Sequence, residues 1–345
     1  MKYLVSLFFS LLLSVSVQAQ TTIRVATWLP PSNPQNAVVW PTWIKWVEDA
    51  TEGRVTVKLE YGMGHPKSLF ALVEDGVVDM GFSVLGYIPG RFKLPLVAEL
   101  PNISNSAEAT SVALWRTQEK YFASAHEFDG LELLGMFVHG PSQIHTRNRF
   151  DTLEELSQMK IRIGGGLQGP IAERLGVTPV QAPAPKTYEM MQQGVVDGTF
   201  MPALEQKYSR LSEVSQQLTV IPKGLYASSF AFFANPEFMD SLDPRDRDAI
   251  LSVSGEKLSA LAGRAWETGD KEGYKTARAA GVKILQLREE DALTIAFRDR
   301  LAYLPEEWVI SVADRNVDAT QAMNYLKQQA LSYEQQHAVN HVEQP

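Results

Sequence analysis

Arg162 occupies the position in this chain best suited to holding an anion. It sits in Lys160-Ile161-Arg162-Ile163, a short β-prone run followed at once by Gly164-Gly165-Gly166 and then Gly169. On a strand, Ile161 and Ile163 face one side while Lys160 and Arg162 face the other. A planar guanidinium there can take a carboxylate through two parallel hydrogen bonds. A structural ion pair at a sheet edge is the alternative that the pattern leaves open. The glycines open a helix, whose free N–H groups and partial positive charge also suit an anion. Their spacing is not GxGxxG, so no dinucleotide fingerprint is read.

Other chemistries lack their parts. The chain has no cysteine, which excludes a thiol nucleophile, a thiolate metal site and a disulfide framework. Its six histidines are His65, His126, His139, His145, His337 and His341, and none belongs to an HExxH pattern. His337 and His341 fall in a Gln-rich tail that reads as solvated helix surface. There is no GxSxG elbow and no Walker loop. The expectation is a binding site with no catalytic residue, no metal and no cofactor.

The elements that must position Arg162 come from a unit that occurs twice. Residues 22–28 alternate like a strand. Asn33-Pro34 then starts a helix, with Asn as cap and Pro at the first helical position. On that helix Val39, Trp43, Trp46, Val47 and Ala50 share a face, and Gly53 ends it. A strand at 54–61, a helix at 67–74 and GVVD at 76–79 lead to a third strand. The second half repeats the order: strand 160–163, a helix to Arg174, strand 176–181, helix 187–193 and GVVD at 194–197. Strands alternating with helices predict mainly parallel sheets covered on both faces, one in each of two α/β lobes. Ligands of such sheets bind beyond the carboxyl ends of the strands, where Arg162 lies. The apolar runs 131–139 and 226–234 are the expected crossings between lobes, forming a hinge. A proline-free helical stretch at 244–280, roughly 55 Å long at ~1.5 Å per residue, is long enough to brace both. A strand follows at 281–287, and helices close the chain.

Composition narrows the setting. The chain has 345 residues, 45% of them hydrophobic and 21% charged, with 32 Lys and Arg against 40 Asp and Glu. That excludes disorder, and a net charge of −8 without a basic run excludes ordinary nucleic-acid binding. Lys2, the apolar run 4–17 and the small residues Val17 and Ala19 read as a secretory signal cleaved after residue 19. That run is shorter than the ~20 residues a spanning helix requires, so the protein is not expected to be membrane-embedded. The bacterial periplasm is the expected compartment.

The motifs DTLEELSQMKIRI (151–163), LGVTPV (175–180) and GVVDG (194–198) resemble the substrate-binding proteins of tripartite ATP-independent periplasmic (TRAP) transporters, the DctP family. ATEGRVTV (50–57), EDGVVDMGF (74–82), PGRF (89–92) and LDPRDRDAI (242–250) extend the resemblance over nearly the whole mature chain. It implies a two-lobed periplasmic binding protein of type II-like build, with a long helix bracing both lobes. On that basis the chain divides into a signal at 1–19, lobe I at 20–138 plus 226–266, and lobe II at 139–225 plus 267–345. It also implies capture of a small organic acid by lobe closure and delivery to a permease of small and large membrane subunits. The family arginine that grips the ligand carboxylate falls on Arg162.

Departures from the sugar-acid members of that family shape the expected ligand. Trp28 and Met201 stand where those members place ligand-binding asparagines. Ala184 replaces an aromatic, and Gln143 falls near the place of a second arginine. A site that removes its donors cannot serve a polyhydroxylated acid, because each unpaired buried hydroxyl costs about 1–3 kcal/mol. The expected ligand is a monocarboxylate with an apolar or aromatic part. Arg162 would pair its carboxylate, Trp28, Phe82 and Met201 would pack its body, and Tyr87, Gln143, His145 and Tyr226 would supply hydrogen bonds. Arg91, in PGRF, is a second candidate for an anion. Two arginines on one ligand would favour a dicarboxylate, and the binding component of another transporter class is a further alternative.

Overall fold

The structure is a computed structural model describing residues 20–342, so the expected signal lies outside the described residues. The strands in chain order are β1 (Thr21–Thr27), β2 (Val55–Tyr61), β3 (Met80–Val84), β4 (Glu132–Val138), β5 (Ser142–Thr146), β6 (Lys160–Ile163), β7 (Thr178–Gln181), β8 (Gly198–Pro202), β9 (Gln217–Val220), β10 (Ser229–Ala234) and β11 (Lys283–Gln286). They form two sheets, ordered β2-β1-β3-β10-β4 and β11-β9-β5-β8-β6-β7. Each sheet contains one reversed strand, β10 in the first and β5 in the second. All other pairings are parallel. β3 and β8 are buried along their full length, which is why their sequences do not alternate.

The duplicated GVVD is a turn device. Gly76 and Gly194 each end a helix with positive φ, +66° and +73°, which a side chain would oppose. Asp79 then accepts from Arg24 N at 2.7 Å and returns its own N–H to Arg24 O at 3.0 Å. Asp197 makes the same pair with Lys160, at 2.8 and 2.7 Å. The repeated carboxylate pins the incoming strand to the first strand of each unit, so its role is architectural.

β4 passes through residues 139–141 into β5, and the chain returns through 221–228 into β10. The two crossings hydrogen-bond to each other, Ser142 N to Tyr226 O at 2.8 Å and Leu225 N to Ser142 O at 3.0 Å. His139 fastens the same place. Its Nδ1–H donates to Gly140 O at 2.6 Å and its Nε2 accepts from Ser228 N at 3.1 Å. The acceptor role of Nε2 requires the neutral ring, and burial lowers its pKa to about 4.

The long helix differs from expectation. Residues 244–280 form two helices, Pro244–Ser252 and Glu256–Ala279, separated at Gly255. Gly255 has φ +62°, its N–H donates to Leu134 O at 2.7 Å, and the Trp115 ring packs against it. β4 thus takes the N–H that a continuous helix would need. The remaining helix is roughly 36 Å long and still touches both sheets' surroundings, from Leu134 near its start to a cluster of Ala277 with Leu218 and Val282 at its end. A boundary at 266/267 therefore falls inside one rigid element.

The C-terminal segment also departs from expectation. Ala319–Val342 lies along Ala107–Thr117, beside the first sheet, with Tyr333 Oη donating to Glu108 Oε1 at 2.7 Å and Arg116 Nη1 to Gln329 Oε1 at 2.8 Å. Leu304–Ser311 touches both sides, through Trp308 Nε1 to Lys93 O at 3.0 Å and a Glu307–Arg174 ion pair. Local patterning could not assign these helices, because the faces they cover belong to distant segments.

Asp270, on the bracing helix, is buried against Gly140 and accepts from Leu204 N at 2.7 Å. Burial raises its pKa from 3.8 to about 8, and that of buried Glu99 from 4.5 to about 7. Stability from keeping these groups neutral is complete below their unfolded pKa values and is lost as pH rises through the folded ones. His139 and His145 act oppositely, losing stability as pH falls from 6.5 through about 4. Above pH 6.5 the carboxyls act alone. Urea unfolding should therefore show stability falling by about 2 kcal/mol from pH 6.5 to 8, and Asp270→Asn should remove most of that fall. An unchanged slope in the variant would exclude Asp270 as its source.

Candidate functional site

The carboxyl ends of β1, β3, β6 and β8 converge on a cleft of about 240 Å³ between the lobes. Trp28 and Tyr87 come from the first-sheet side, Arg162 and Met201 from the second, and Tyr226 and His139 from the crossings. Five of the expected residues, Arg162, Trp28, Tyr87, Met201 and Tyr226, are thus brought together.

Arg162 is 2% exposed. Its Nε donates to Ala182 O at 2.8 Å, which holds the guanidinium in place. Among the described residues no carboxylate forms an ion pair with it, so the sheet-edge ion pair is not what the structure shows. Trp28 stacks on Phe82, with centroids 5.6 Å apart and planes inclined by 20°, and donates Nε1 to Phe82 O at 3.1 Å. The Tyr87 hydroxyl accepts from Ala184 N at 2.9 Å across the cleft. That leaves its O–H free to donate beside Arg162, and burial raises its pKa. Tyr226 Oη donates to Phe200 O at 2.8 Å.

Four expected residues lie elsewhere. Phe82 is fully buried beneath Trp28 and supports the cleft wall without lining it. His145 sits behind β8, where Nε2–H donates to Met201 O at 2.9 Å and Nδ1 accepts from Gln206 Nε2 at 2.7 Å. It is a neutral strut for Met201, with its pKa lowered by burial to about 4. Gln143 Oε1 accepts from Ile221 N at 2.7 Å and its Nε2 donates to Pro141 O at 3.1 Å, so it ties the crossings together. Arg91 pairs with Glu74 at 2.5 Å and lies over the Phe92 ring, outside the cleft. Alternation could orient these side chains but could not show which were already satisfied.

The glycine-rich helix start is occupied differently from expectation. Leu167 N donates to Glu99 Oε2 at 3.0 Å, while Glu99 Oε1 accepts from Ser229 N at 2.9 Å and Ser229 Oγ at 2.8 Å. An internal carboxylate therefore caps this terminus and links the two sides. Beside it Gly86 meets Gly165 and Gly166 backbone to backbone. Residues not anticipated in the cleft include His139, Gln168, Glu205, Tyr208 and Trp266. Gln168 had a signal, as the polar residue at the glycine-opened helix; the others had none. Among the described residues no group of three or more His, Cys, Asp or Glu is placed to hold a metal, and no helix is long and apolar enough to cross a membrane.

Comparison with known proteins extends the picture. The profile of the DctP family, bacterial extracellular solute-binding protein family 7, matches residues 25–307. A TRAP periplasmic solute-binding protein from Bordetella bronchiseptica, solved with (R)- and (S)-mandelate, is 32% identical. It has a TM-score of 0.88 over 91% of this chain and 99% of its own. A TRAP solute-binding protein from an unidentified microbe of a marine metagenome, specific for aromatic acid ligands and solved with 3-hydroxybenzoate, is 29% identical. Its TM-score is 0.85 over 91% of this chain and 99% of its own. The outer membrane transporter protein TsaT of Comamonas testosteroni is 28% identical over 93% of this chain and 95% of its own length. With a profile match spanning both sheets and a two-lobed architecture shared with solved TRAP binding proteins, the chain belongs to the DctP family of bacterial extracellular solute-binding proteins.

Proposed function

We propose that this protein captures a small aromatic monocarboxylate in the cleft and delivers it to the small and large membrane subunits of a TRAP permease. Delivery would take place in the periplasm, after removal of residues 1–19. The observation that carries this is Arg162, a buried guanidinium without a protein carboxylate, set at the end of a cleft walled by Trp28, Met201 and Trp266. A cavity of ~150 Å³ holds benzene, so about 240 Å³ suits one ring with a carboxylate and a small substituent. The mandelate and 3-hydroxybenzoate carried by the two solved relatives have this size and shape. Arg91 is already paired with Glu74, which favours one carboxylate over two. No covalent step is assigned. The protein works by binding, with closure drying the Arg162–carboxylate pair and bringing both lobes into one surface.

Thermal-shift and calorimetric titration of the mature protein against benzoate, phenylacetate, mandelate, succinate and gluconate tests this. Binding to the folded state raises the melting temperature through RT ln(1 + [L]/Kd). The single-ring acids are expected to shift it, and succinate and gluconate to leave it unmoved. Shifts confined to gluconate would overturn the apolar-cleft reading, and a response to succinate alone would restore the dicarboxylate.

A further inference from the structure

The cleft contains a second buried charge that anion capture does not use. Glu205 is 5% exposed, begins the short helix Glu205–Tyr208 after β8, and lines the same cavity as Arg162 together with Tyr208 and Ser209. The two charges form no ion pair with each other. One Glu205 oxygen accepts from the Ser209 hydroxyl, and the other has no protein donor among the described residues. Once a ligand excludes water from the cleft, a carboxyl group on its wall with an open acceptor costs stability unless something donates to it. An apolar residue would line the cavity at less cost if only a ring and a carboxylate had to fit. Burial raises the pKa of Glu205, while the Ser209 hydrogen bond and the field of Arg162 oppose that rise.

We propose that Glu205, backed by Ser209, is a specificity-determining acceptor that selects aromatic acids bearing a hydroxyl group over those lacking one. The inference rests on the aromatic-acid reading above. The ligand spans two poles. Its carboxylate lies on Arg162, its ring lies between them along the apolar walls, and its O–H donates to the free oxygen of Glu205. Discrimination follows from the asymmetry of hydrogen bonding, because an analogue without the hydroxyl leaves the buried acceptor unmet. An aromatic N–H presents the same donor chemistry, so the test separates the two sources.

The test uses calorimetric Kd values for matched pairs whose hydroxyl is carried on the ring, 3-hydroxybenzoate with benzoate and 3-hydroxyphenylacetate with phenylacetate, with 3-aminobenzoate as the amine arm. Proteins are the mature chain, Glu205→Gln, Glu205→Ala and Ser209→Ala, each checked for folding by circular dichroism. The mature chain is expected to prefer at least one hydroxy acid about 10- to 100-fold over its partner, the range of a hydrogen bond to a charged group. The ratio within that pair should collapse towards one in Glu205→Ala and fall in Glu205→Gln and Ser209→Ala. The ratio is the readout because a merely structural Glu205 would weaken both members alike and leave it unchanged, which would overturn the proposal. If Glu205→Ala does not fold, the isosteric Glu205→Gln and Ser209→Ala decide. Equal affinities within both pairs in the mature chain would overturn the proposal while leaving anion capture by Arg162 intact. Failure of every aromatic acid to bind would instead overturn the reading on which it rests. Tighter binding of 3-aminobenzoate than of 3-hydroxybenzoate would overturn the hydroxyl assignment in favour of an amine.

Discussion

Replacing Arg162 by alanine is expected to weaken aromatic-acid binding by about 2–5 kcal/mol, which titration calorimetry would register as near-complete loss. The magnitude follows from the geometry. Arg162 is buried, its orientation is set by the Nε–Ala182 bond, and among the described residues no other arginine or lysine lines the cleft. Without it a desolvated carboxylate would face Trp28 and Met201, and most of the loss is the cost of leaving that charge unpaired. Arg162→Lys separates charge from shape. An ammonium restores the charge but cannot make the two parallel hydrogen bonds, so an affinity between those of the parent and Arg162→Ala is expected. Parent-like affinity in Arg162→Ala, with the fold intact, would exclude it as the anion partner.

The second large effect concerns the contact between lobes. A Cβ at Gly86 would stand 2.5 Å from Gly166 N and 2.9 Å from Gly166 Cα, and both are backbone atoms that cannot swing aside. Gly86→Ala should therefore hold the lobes apart. The Tyr87–Ala184 and Glu99–Leu167 bonds beside it would be lost. Overpacking of this kind costs about 1–3 kcal/mol, so acid affinity should fall roughly 10- to 100-fold. Small-angle scattering at saturating ligand should give a larger radius of gyration than for the parent. If the variant binds and compacts like the parent, the glycine contact does not govern closure.

Much of the framework was legible in local pattern. β6 falls at Lys160–Ile163 and the repeated units follow in the expected order, whereas the runs 131–139 and 226–234, expected as crossings, are mostly the paired strands β4 and β10 of the first sheet, with the crossings at 139–141 and 221–228. The strand and the repeat depend on near neighbours, through alternation, capping and glycine turns. The helix break at Gly255 was not legible, because its cause is Leu134 and Trp115, more than a hundred positions away in the chain. The same holds for the C-terminal helix, whose Gln-rich end reads as solvated surface until Ala107–Thr117 supplies its partner.

The site divides along the same line. By itself the amino-acid sequence determined that a cation stands at the end of a strand beside a glycine-opened helix, and that an aromatic and a thioether replace polar residues nearby. Tertiary structure alone decided which polar groups remained free. Arg91, Gln143 and His145 are consumed by Glu74, by the crossings and by Met201 O, and the glycine-rich terminus by Glu99. Glu205 and Arg162, which nothing in the pattern connects, share one cleft without neutralising each other. A hydrogen-bonding group serves a ligand only if the fold has not already satisfied it, and its partners come from segments far apart in the chain.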